Sequence, residues 1–510
     1  MADITSTKPK SIDDLCPEIM LIIAGYLGLR DLQAFIRVSF RYFMMLDWEL
    51  QSRVVAGGEG LVRACNNRNL PLVTHLLSEK ITSYTGEKKI TLQLPPNLHQ
   101  VIFQPPGGGC FPGCESKLVK LAQRGVRLGA KDKEGRLALH HAICYYFPRR
   151  HIRKLLHLTI QEGVSLDCAD ITGRTGLHDT MVRYNFLHCS EELVDAFIKN
   201  GVDVSRQDIS RRTALHEAIC HDAPLPCIMK LLEAIPNPRA TDIFEVQDDF
   251  GGNTLLHLAA DKLNPDLIKL LLPMSSQAIN SINDKGNTPL HLAAIAGSDL
   301  GSEVDVDDES PPPEDIFFQD SIGLLLKYGA NPNLPNSDGE TPLHKMIQIF
   351  EIDCSKTIVA LLHYGANPNI SSWFGTPLHY AIDRENSSNV QLLLDGAADV
   401  SIPDSRGYTP IHLASMAEME HQGIFEQLLL RSNIENLNSH TYDDQSTPLH
   451  MSSFGGRHSV DRVRRFLLWG ADRNARNASG DTALDIASRG NREEIIILLT
   501  NGVPNNNPLD

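Results

Sequence analysis

"DGETPLHKMI", residues 338–347, contains the four-residue phrase Thr-Pro-Leu-His, and the recurrence of this phrase decides how the chain folds. The phrase or a close variant begins at ten positions: 137, 175, 213, 254, 288, 341, 376, 409, 447 and 482. The shortest separation is 33 residues, and every longer one is that unit with extra residues added. A period of this length predicts a stack of similar structural units.

The chemistry of one unit predicts a pair of helices. Thr is a good N-cap because its hydroxyl accepts from a free backbone N–H, and the following Pro suits the first helical position. A second helix carries a Leu-Leu pair and ends at Gly, which favours the left-handed backbone that closes helices. This phrase occurs as LLLKYGANPN (324–333), ALLHYGANPN (360–369), LLLDGAADVS (392–401) and FLLWGADRNA (466–475). Neither helix buries its apolar face alone, so the units must stack.

These features resemble the ankyrin repeat, a helix–turn–helix and β-turn unit of 33 residues with a T-P-L-H signature. The resemblance covers residues 131–503, and two degenerate repeats with a Gly/Pro-rich insertion are expected over 51–130. It implies an all-α fold, an ankyrin-repeat α-solenoid of about twelve repeats, followed by a tail at 504–510. The last unit has Asp485 in place of the tetrad His, which is typical of a solvent-facing cap.

The tetrad accounts for nine of the 20 histidines, at positions 140, 178, 216, 257, 291, 344, 379, 412 and 450. The resemblance implies that they are structural, joined by hydrogen bonds to the Thr hydroxyl and the neighbouring backbone. A metal site is the alternative, but successive histidines lie one repeat apart, too far to share an ion at ligand distances of about 2 Å. We therefore expect no metal and no cofactor.

Two other patterns resemble ligand-binding or metal-binding sites. The stretch QPPGGGCFPGCESK (104–117) has Cys110 and Cys114, but it lacks the Gly-Lys-Ser/Thr of a phosphate loop and further zinc ligands at local spacing. His141 follows the first tetrad His, and we expect it to be a surface or core residue. Motifs of hydrolases, metalloproteases, dinucleotide-binding enzymes and kinases are missing from the sequence. The sequence therefore predicts a protein that is not an enzyme.

The composition of the chain limits the classes of partner that we expect. The formal charge is −16, with 63 acidic and 47 basic residues, which argues against nucleic acid because phosphate binding rests on clustered Lys and Arg. No secretory signal is visible, and the apolar stretch near the amino end is too short to cross a bilayer. The ten cysteines lack the spacing of a disulfide framework. We expect a monomeric intracellular protein, cytoplasmic or nuclear, without membrane contact.

The segment IDDLCPEIMLIIAGYLGLRDLQAFIRVSFRYFMML (12–46) belongs to no repeat, and its apolar residues follow helical spacing. A cluster of about forty residues rarely folds without a partner. Residues 11–50 resemble an F-box, although Cys16 stands where that family usually has Pro. An F-box before an ankyrin array is similar to an arrangement found in filamentous fungi. The resemblance implies docking on the adaptor subunit of a cullin-based ubiquitin ligase through Leu15, Pro17, Ile19, Ile22 and Leu27. Alternatively, these helices only cap the solenoid.

An acidic segment extends one of the repeats. GSDLGSEVDVDDESPPPED (297–315) holds eight acidic residues and no basic ones. This composition predicts a disordered loop between the two helices of one repeat, which the stack tolerates because loop entropy grows only logarithmically with length. We interpret it as solvated filler, with binding of a basic partner as the alternative.

By the resemblance, ankyrin arrays bind proteins with the tips of their turns and with the groove lined by the first helices. Exposed aromatic residues are good interface anchors. We expect target contacts from Trp373, Phe374, Phe250, Tyr380, Asp383 and Tyr442, with Phe374 folding back onto a neighbour as its alternative. Lys345, Gln348 and Met416 should also line the groove. The sequence thus predicts a protein-binding scaffold, the substrate-recognition subunit of an SCF-type ubiquitin ligase; the alternative is a scaffold or regulator without a ubiquitin role.

Overall fold

The structure is a computed structural model, and it describes residues 128–502 apart from short gaps at 130, 132–133, 145–148, 183–190, 236–241, 298–319, 349–353, 417–421 and 457. The predicted F-box, residues 51–127 of the degenerate repeats and the tail lie outside the described residues, as do Cys110 and Cys114. The chain divides into two compact units. Their described parts are 128–209 with 213–235, and 210–212 with 242–502.

The described part of the first unit contains three helix pairs. Within it, each first helix packs on the first helix of the next pair, and the second helices α4 and α6 pack on each other. Leu155, Phe197 and Leu231 on the second helices are almost completely buried. The helices are α1 (Ala138–Cys144), α2 (Arg149–Gln161), α3 (Gly176–Val182), α4 (Glu191–Lys199), α5 (Ala214–Cys220) and α6 (Leu225–Glu233).

The second unit continues the same pairing. Its first helices are α7 (Leu255–Asp261), α9 (Pro289–Ala296), α11 (Pro342–Ile347), α13 (Pro377–Asp383), α15 (Pro410–Ala414), α18 (Pro448–Ser453) and α20 (Ala483–Arg489). Its second helices are α8 (Pro265–Leu271), α10 (Ser321–Lys327), α12 (Ser355–His363), α14 (Ser387–Asp395), α16 (Gln422–Arg431), α19 (Ser459–Leu468) and α21 (Glu493–Asn501). A four-residue helix, α17 (Ile434–Leu437), follows α16, and short 3-10 turns occupy Asp242–Phe244 and Ala278–Asn280.

Apolar side chains on both kinds of helix form the core of the second unit. Leu290, Leu343 and Leu378 occupy the same tetrad position in successive first helices, and all three are fully buried. On the second helices, the buried rings of Phe425 and Phe466 meet edge to face, with 5.1 Å between their centroids. Aromatic pairs favour this arrangement over stacking face to face. Each pair of helices therefore buries its apolar side against its neighbours, as the period predicts.

The tetrad histidine caps the start of each first helix. In all nine tetrads, the histidine Nδ1 accepts from the backbone N–H three residues earlier, at 3.0–3.3 Å. In the eight that begin with Thr, the Thr hydroxyl also lies 2.8–2.9 Å from Nδ1. These bonds satisfy donors that a helix start leaves free. The structural interpretation of the tetrad histidines is confirmed.

In the second unit, six tetrad histidines also join one repeat to the next. Their Nε2 lies 2.9–3.2 Å from the backbone carbonyl that precedes the following tetrad. A carbonyl only accepts, so Nε2 carries a proton, and Nδ1 accepts from the backbone N–H and carries none; the ring is therefore neutral. Burial lowers the pKa to about 4 for His257, His291, His344 and His412. Asp485 accepts from the Thr482 N–H at 2.8 Å, so the helix cap is retained in this unit. Asp lacks the imidazole Nε2 that bonds to the following repeat in the six histidines.

The second helices close as predicted at three of the four Gly phrases. Gly329, Gly365 and Gly470 have φ of 96°, 82° and 88°, the left-handed region that glycine tolerates best. In the phrase at 392–401 the prediction is wrong by one residue, because Gly396 has φ −80° and Ala397 takes φ 64°. An L-residue with a Cβ is less favourable there than Gly.

The acidic insertion falls where it is expected, between the two helices of one repeat, because α9 ends at Ala296 and α10 begins at Ser321. The loop itself lies outside the described residues, so its disorder stays a prediction. Apart from one isolated bridge between Ser372 and Gly375, the described part of the chain contains no β-pairing. Its helices include none with the length and apolar character needed to cross a membrane.

Candidate functional site

Short turns precede the tetrads and carry the exposed tips. Asp404 shows how a turn is held: its carboxylate accepts from the N–H groups of Arg406 and Tyr408, at 2.9 and 2.8 Å. Neighbouring turns are joined by backbone hydrogen bonds, such as the one from the Tyr442 N–H to the Arg406 carbonyl at 2.9 Å. The tips are therefore fixed in position relative to their neighbours within the second unit.

Three of the predicted contact residues are exposed aromatic side chains on these turns. Trp373 is 80% exposed, Phe250 68% and Tyr442 62%. Phe250 is also held from one side, because the Arg212 guanidinium lies 4.2 Å from its ring centroid and Arg212 binds Asp248 at 2.9 Å. A ring that is already positioned loses less side-chain entropy when a partner covers it.

A group of polar side chains on the first helices and turns of the second unit surrounds Glu340, and we name it the Glu340 cluster: Glu340, Lys345, Gln348, Ser372 and Tyr380. The Glu340 carboxylate accepts from the Lys345 ammonium, the Gln348 amide and the Tyr380 hydroxyl, the last at 2.7 Å. The Tyr380 hydroxyl also lies 3.0 Å from the Ser372 hydroxyl. The cluster thereby connects residues from consecutive repeats.

Electrostatics keep the Glu340 cluster in one protonation state at neutral pH. Burial alone would raise the pKa of Glu340, but hydrogen bonds from Lys345 and Tyr380 lower that pKa below its usual value. Burial raises the pKa of Tyr380, and its bond to the Glu340 carboxylate acts in the same direction. Glu340 is therefore an anion and Tyr380 a neutral donor.

A second polar group lies in the first unit, and we name it the Arg174 cluster: Arg174, Asp179, Asp208, Glu217 and His221. The Arg174 guanidinium binds Asp179 at 3.2 Å, Glu217 at 2.7 Å and Asp208 at 3.5 Å. Glu217 also lies 3.3 Å from the His221 ring. Three carboxylates share one guanidinium, so the cluster is acidic.

The two clusters occupy equivalent positions in the repeat with opposite charges. Arg174 and Glu340 each stand immediately before a tetrad Thr. Each binds the residue five positions later, Asp179 or Lys345, which directly follows the tetrad His. Each also binds the matching residue of the next repeat, Glu217 or Tyr380. The repeat thus places ionisable groups side by side, and local sequence sets their sign.

The predicted groove residues have different surroundings in the structure. Lys345, Gln348 and Tyr380 come together in the Glu340 cluster, but Tyr380 is only 8% exposed, which leaves little of it for a partner to touch. Phe374 is half-buried and packs edge-on against Tyr380, with ring centroids 5.0 Å apart, as its alternative interpretation states. Asp383 is exposed and Met416 half-buried. Their roles in target contact stay predictions.

The sequence does not single out Glu340 or Arg174, although a signal for both is present. Each is a charged residue directly before a tetrad, with an opposite charge five residues later.

His141 is almost completely buried in α1, which agrees with the prediction that it could be a core residue. Within the residues that the structure describes, no group of three or more His, Cys, Asp or Glu side chains could hold a metal ion.

Comparison with known families identifies the repeat. The profile described as ankyrin repeats matches residues 225–302, 318–404 and 351–441, and the profile of the single ankyrin repeat matches 285–337. Residues 225–441 contain ankyrin repeats. The all-helical ankyrin-repeat solenoid fold is therefore confirmed for the array, whereas neither profile reaches residues 131–224 and 442–503 of the predicted array, the segment that resembles an F-box or the two degenerate repeats.

Curated relatives match the ankyrin array but extend well beyond it. The chain is 27% identical over 258 residues to the B-cell lymphoma 3 protein homolog of Mus musculus, which covers 49% of this chain and 52% of that protein. It is 30% identical over 192 residues to the nuclear factor NF-kappa-B p105 subunit of Gallus gallus, covering 37% and 17%. It is 27% identical over 315 residues to the E3 ubiquitin-protein ligase KEG of Arabidopsis thaliana, covering 49% and 19%. The matches span about half or less of these relatives.

One solved structure matches part of this chain in sequence. The crystal structure of the ankyrin repeat domain of Bcl-3, described as a unique member of the IkappaB protein family, is 27% identical to this chain. It covers 49% of this chain and 98% of its own, with a TM-score of 0.37.

Proposed function

We propose that this chain is a scaffold whose ankyrin array binds other proteins through its turn tips and first helices. The observation that carries the proposal is the set of three large aromatic side chains, Phe250, Trp373 and Tyr442, exposed on turns that hydrogen bonds hold in place. Exposed aromatic residues on a rigid base supply much of the binding energy of protein interfaces.

The polar clusters suggest how a target is selected. The Arg174 cluster brings three carboxylates to one guanidinium, whereas the Glu340 cluster pairs one carboxylate with an ammonium and a phenol. Charge complementarity fixes which partner is accepted more than it raises affinity. We therefore favour a target with basic groups, in agreement with the acidity of the chain.

We further propose that the chain is the substrate-recognition subunit of a cullin-based ubiquitin ligase. The support is the pattern at 11–50, with Leu15, Pro17, Ile19, Ile22 and Leu27 as the docking face. A relative of the ankyrin array is itself named an E3 ubiquitin-protein ligase, although the match covers 19% of it. The competing function is a scaffold or regulator without a ubiquitin role, in which the amino-terminal helices only cap the solenoid.

We expect the tips to carry target binding. Trp373→Ala and Tyr442→Ala should each weaken the affinity for a target by about 30-fold, and together by up to about 800-fold, because each change removes an anchor worth about 2 kcal/mol. A target is first recovered with the full chain by crosslinking and mass spectrometry, and its affinity is then measured by calorimetry. The matched control is Val359→Ala with Ile497→Ala, two exposed apolar residues on second helices. Equal affinities of the tip and control variants would contradict the proposal.

Adaptor docking has a separate test. Wild-type chain should recover the adaptor subunit of the cullin ligase in a pulldown, and the double variant Ile22→Asp, Leu27→Asp should not, because a buried carboxylate without a partner costs several kcal/mol. The double variant should unfold at the same temperature as the wild-type chain, because its ankyrin array is unchanged. If the wild-type chain never recovers the adaptor, the proposed ligase role is wrong and the function as a scaffold without a ubiquitin role stands.

A further inference from the structure

The outer side of α2, a second helix of the first unit, carries a line of positive charge. The helix has the sequence RRHIRKLLHLTIQ, with four Arg or Lys residues and no acidic residue. Its apolar residues Leu155 and Leu156 are almost completely buried, so this side of the helix faces the core. Three exposed basic residues lie on the opposite side, because residues three and four apart share a helix face. We name them the α2 stripe: Arg150, Arg153 and Lys154.

The charge of α2 differs from that of every other second helix in the part of the chain that the structure describes. With histidine counted as neutral, its four basic and no acidic residues give a formal charge of +4. The next most positive second helix is α19, where three arginines and one Asp give +2. The neighbouring α4 has three acidic residues and one Lys, which give −2. Since the whole chain carries −16, the α2 stripe is a local exception to its acidity.

Two of the three cations in the α2 stripe are available to a partner. Arg153 pairs with Glu192 of α4. Arg150 and Lys154 are exposed, and neither side chain forms an ion pair or a hydrogen bond with the residues that the structure describes. A carboxylate can therefore approach both cations without first displacing another carboxylate.

Acidic side chains next to the α2 stripe limit its width. Glu191 and Glu192 of α4 have side chains that are 56% and 66% exposed, and the exposed Glu162 directly follows α2. A membrane surface or a nucleic-acid duplex presents negative charge over a wide area and would meet these carboxylates together with the cations. The α2 stripe therefore fits a narrow anionic partner, such as a single polypeptide segment.

The spacing of the two available cations suits an extended segment. Arg150 and Lys154 are four residues apart, which is about 6 Å along a helix axis. Alternate side chains of an extended chain point to the same side and are about 6.7 Å apart. Two carboxylates at alternate positions of one segment can therefore face Arg150 and Lys154 at the same time.

We propose that the α2 stripe binds a short acidic segment of a partner protein in an extended conformation. Carboxylates of the segment bind the Arg150 guanidinium and the Lys154 ammonium, and a further carboxylate competes with Glu192 for Arg153. The binding is weak and depends on salt, because exposed charges are screened. The α2 stripe lies on a second helix and includes none of the turn tips or first helices, so this interaction is separate from the target binding proposed above.

The test uses the full chain at low ionic strength, near neutral pH, and two fluorescein-labelled peptides followed by fluorescence anisotropy: Gly-Glu-Ser-Glu-Ser-Glu-Gly and Gly-Gln-Ser-Gln-Ser-Gln-Gly. The acidic peptide should bind, and the amide peptide should bind at least about tenfold more weakly, because it retains the shape and lacks the charge. Added salt should weaken the binding of the acidic peptide. Equal affinity for the two peptides overturns the proposal.

Other anions test the choice of partner. Labelled oligothymidylate of seven nucleotides is measured in the same way, and vesicles of equal parts phosphatidylcholine and phosphatidylserine are tested by co-sedimentation. Both should bind more weakly than the acidic peptide, because the carboxylates of α4 repel a wide polyanion. Tighter binding of either one assigns the α2 stripe to another class of partner and overturns the proposal.

Variants locate the binding on the helix. Arg150→Gln with Lys154→Gln should reduce the affinity for the acidic peptide at least about tenfold. The matched control is Lys269→Gln with Lys356→Gln, which changes the net charge equally at exposed lysines of α8 and α12. Thermal unfolding followed by circular dichroism confirms that both variants are folded. An unchanged affinity in the stripe variant, or an equal loss in the control, overturns the proposal.

A gain of affinity tests the position of Arg153. Glu192→Gln removes the carboxylate that pairs with Arg153, so the acidic peptide should bind about threefold more tightly. The matched control is Glu191→Gln, which removes the same charge from α4 but leaves the Arg153 pair in place, and its effect should be smaller. An affinity that falls or stays the same in Glu192→Gln contradicts the proposed site.

Discussion

Acidification from about pH 7 to about pH 4.5 should unfold the second unit, and its stability should begin to fall near the ordinary pKa of histidine. His257, His291, His344 and His412 are fully buried. Burial lowers the pKa of each from 6.5 to about 4. Each ring is neutral in the fold, with Nδ1 accepting at the helix cap and Nε2 donating to the next repeat. A second proton on Nδ1 would destroy the cap.

The sign follows from proton linkage. Between pH 6.5 and pH 4 the unfolded chain binds protons at these histidines, and the folded chain does not, so stability rises with pH in that window and falls on acidification. Each of the four histidines contributes a loss of about 2–3 kcal/mol by about pH 4.5. The sum, on the order of 10 kcal/mol, matches the whole stability of an ordinary domain, about 5–15 kcal/mol.

The measurement is urea unfolding of the full chain at a series of pH values, with hydrogen exchange to localise the loss to residues 242–502. Near pH 5 the free energy of unfolding should change by about 5 kcal/mol per pH unit, since about four protons are taken up on unfolding. Unfolding driven by carboxylates alone would instead begin below about pH 5, near their ordinary pKa values. A stability that stays constant from about pH 7 to about pH 5 contradicts the prediction.

The features that the sequence predicts are those fixed within one repeat. The tetrad Thr and His lie three residues apart. Their capping hydrogen bonds therefore depend on a single helical turn and can be predicted directly from the sequence. The same holds for the left-handed Gly329, Gly365 and Gly470. At 392–401 the helix ends at Asp395, Gly396 keeps a φ of −80°, and Ala397 takes the left-handed position. Local propensity favours Gly there, so the packing of neighbouring repeats must override it.

The candidate site could be predicted only in part, because it depends on contacts between repeats. Tyr380 and Lys345 are correctly placed on first helices, but Tyr380 is buried and donates to Glu340, which belongs to the preceding repeat's turn. Exposure of Trp373 and Tyr442 could be predicted because turn tips have few neighbours.

The second large effect is expected from His291→Ala. His291 caps α9 through the Thr288 N–H at 3.1 Å and reaches the Glu340 carbonyl at 3.0 Å, across the acidic insertion. The change removes a cap worth about 0.5–2 kcal/mol and a bridging hydrogen bond worth about 1 kcal/mol. It also leaves a cavity that costs about 2 kcal/mol, because the ring is fully buried. We expect a total loss of about 3–5 kcal/mol in the free energy of unfolding, measured by urea titration at neutral pH.

A graded set of variants separates the cap from the bridge. His291→Asn retains an acceptor for the Thr288 N–H, as the Asp485 carboxylate does for Thr482, so it should recover about 1 kcal/mol of the loss. Asp485→Ala removes a cap in the last repeat, where the side chain is exposed and has no onward bridge, and its effect should be much smaller. Hydrogen exchange in α9 and in the turn before Thr341 should rise together in His291→Ala, because one ring holds both. If the three variants lose the same stability, the bridge between repeats contributes nothing and the capping bond alone explains the histidine.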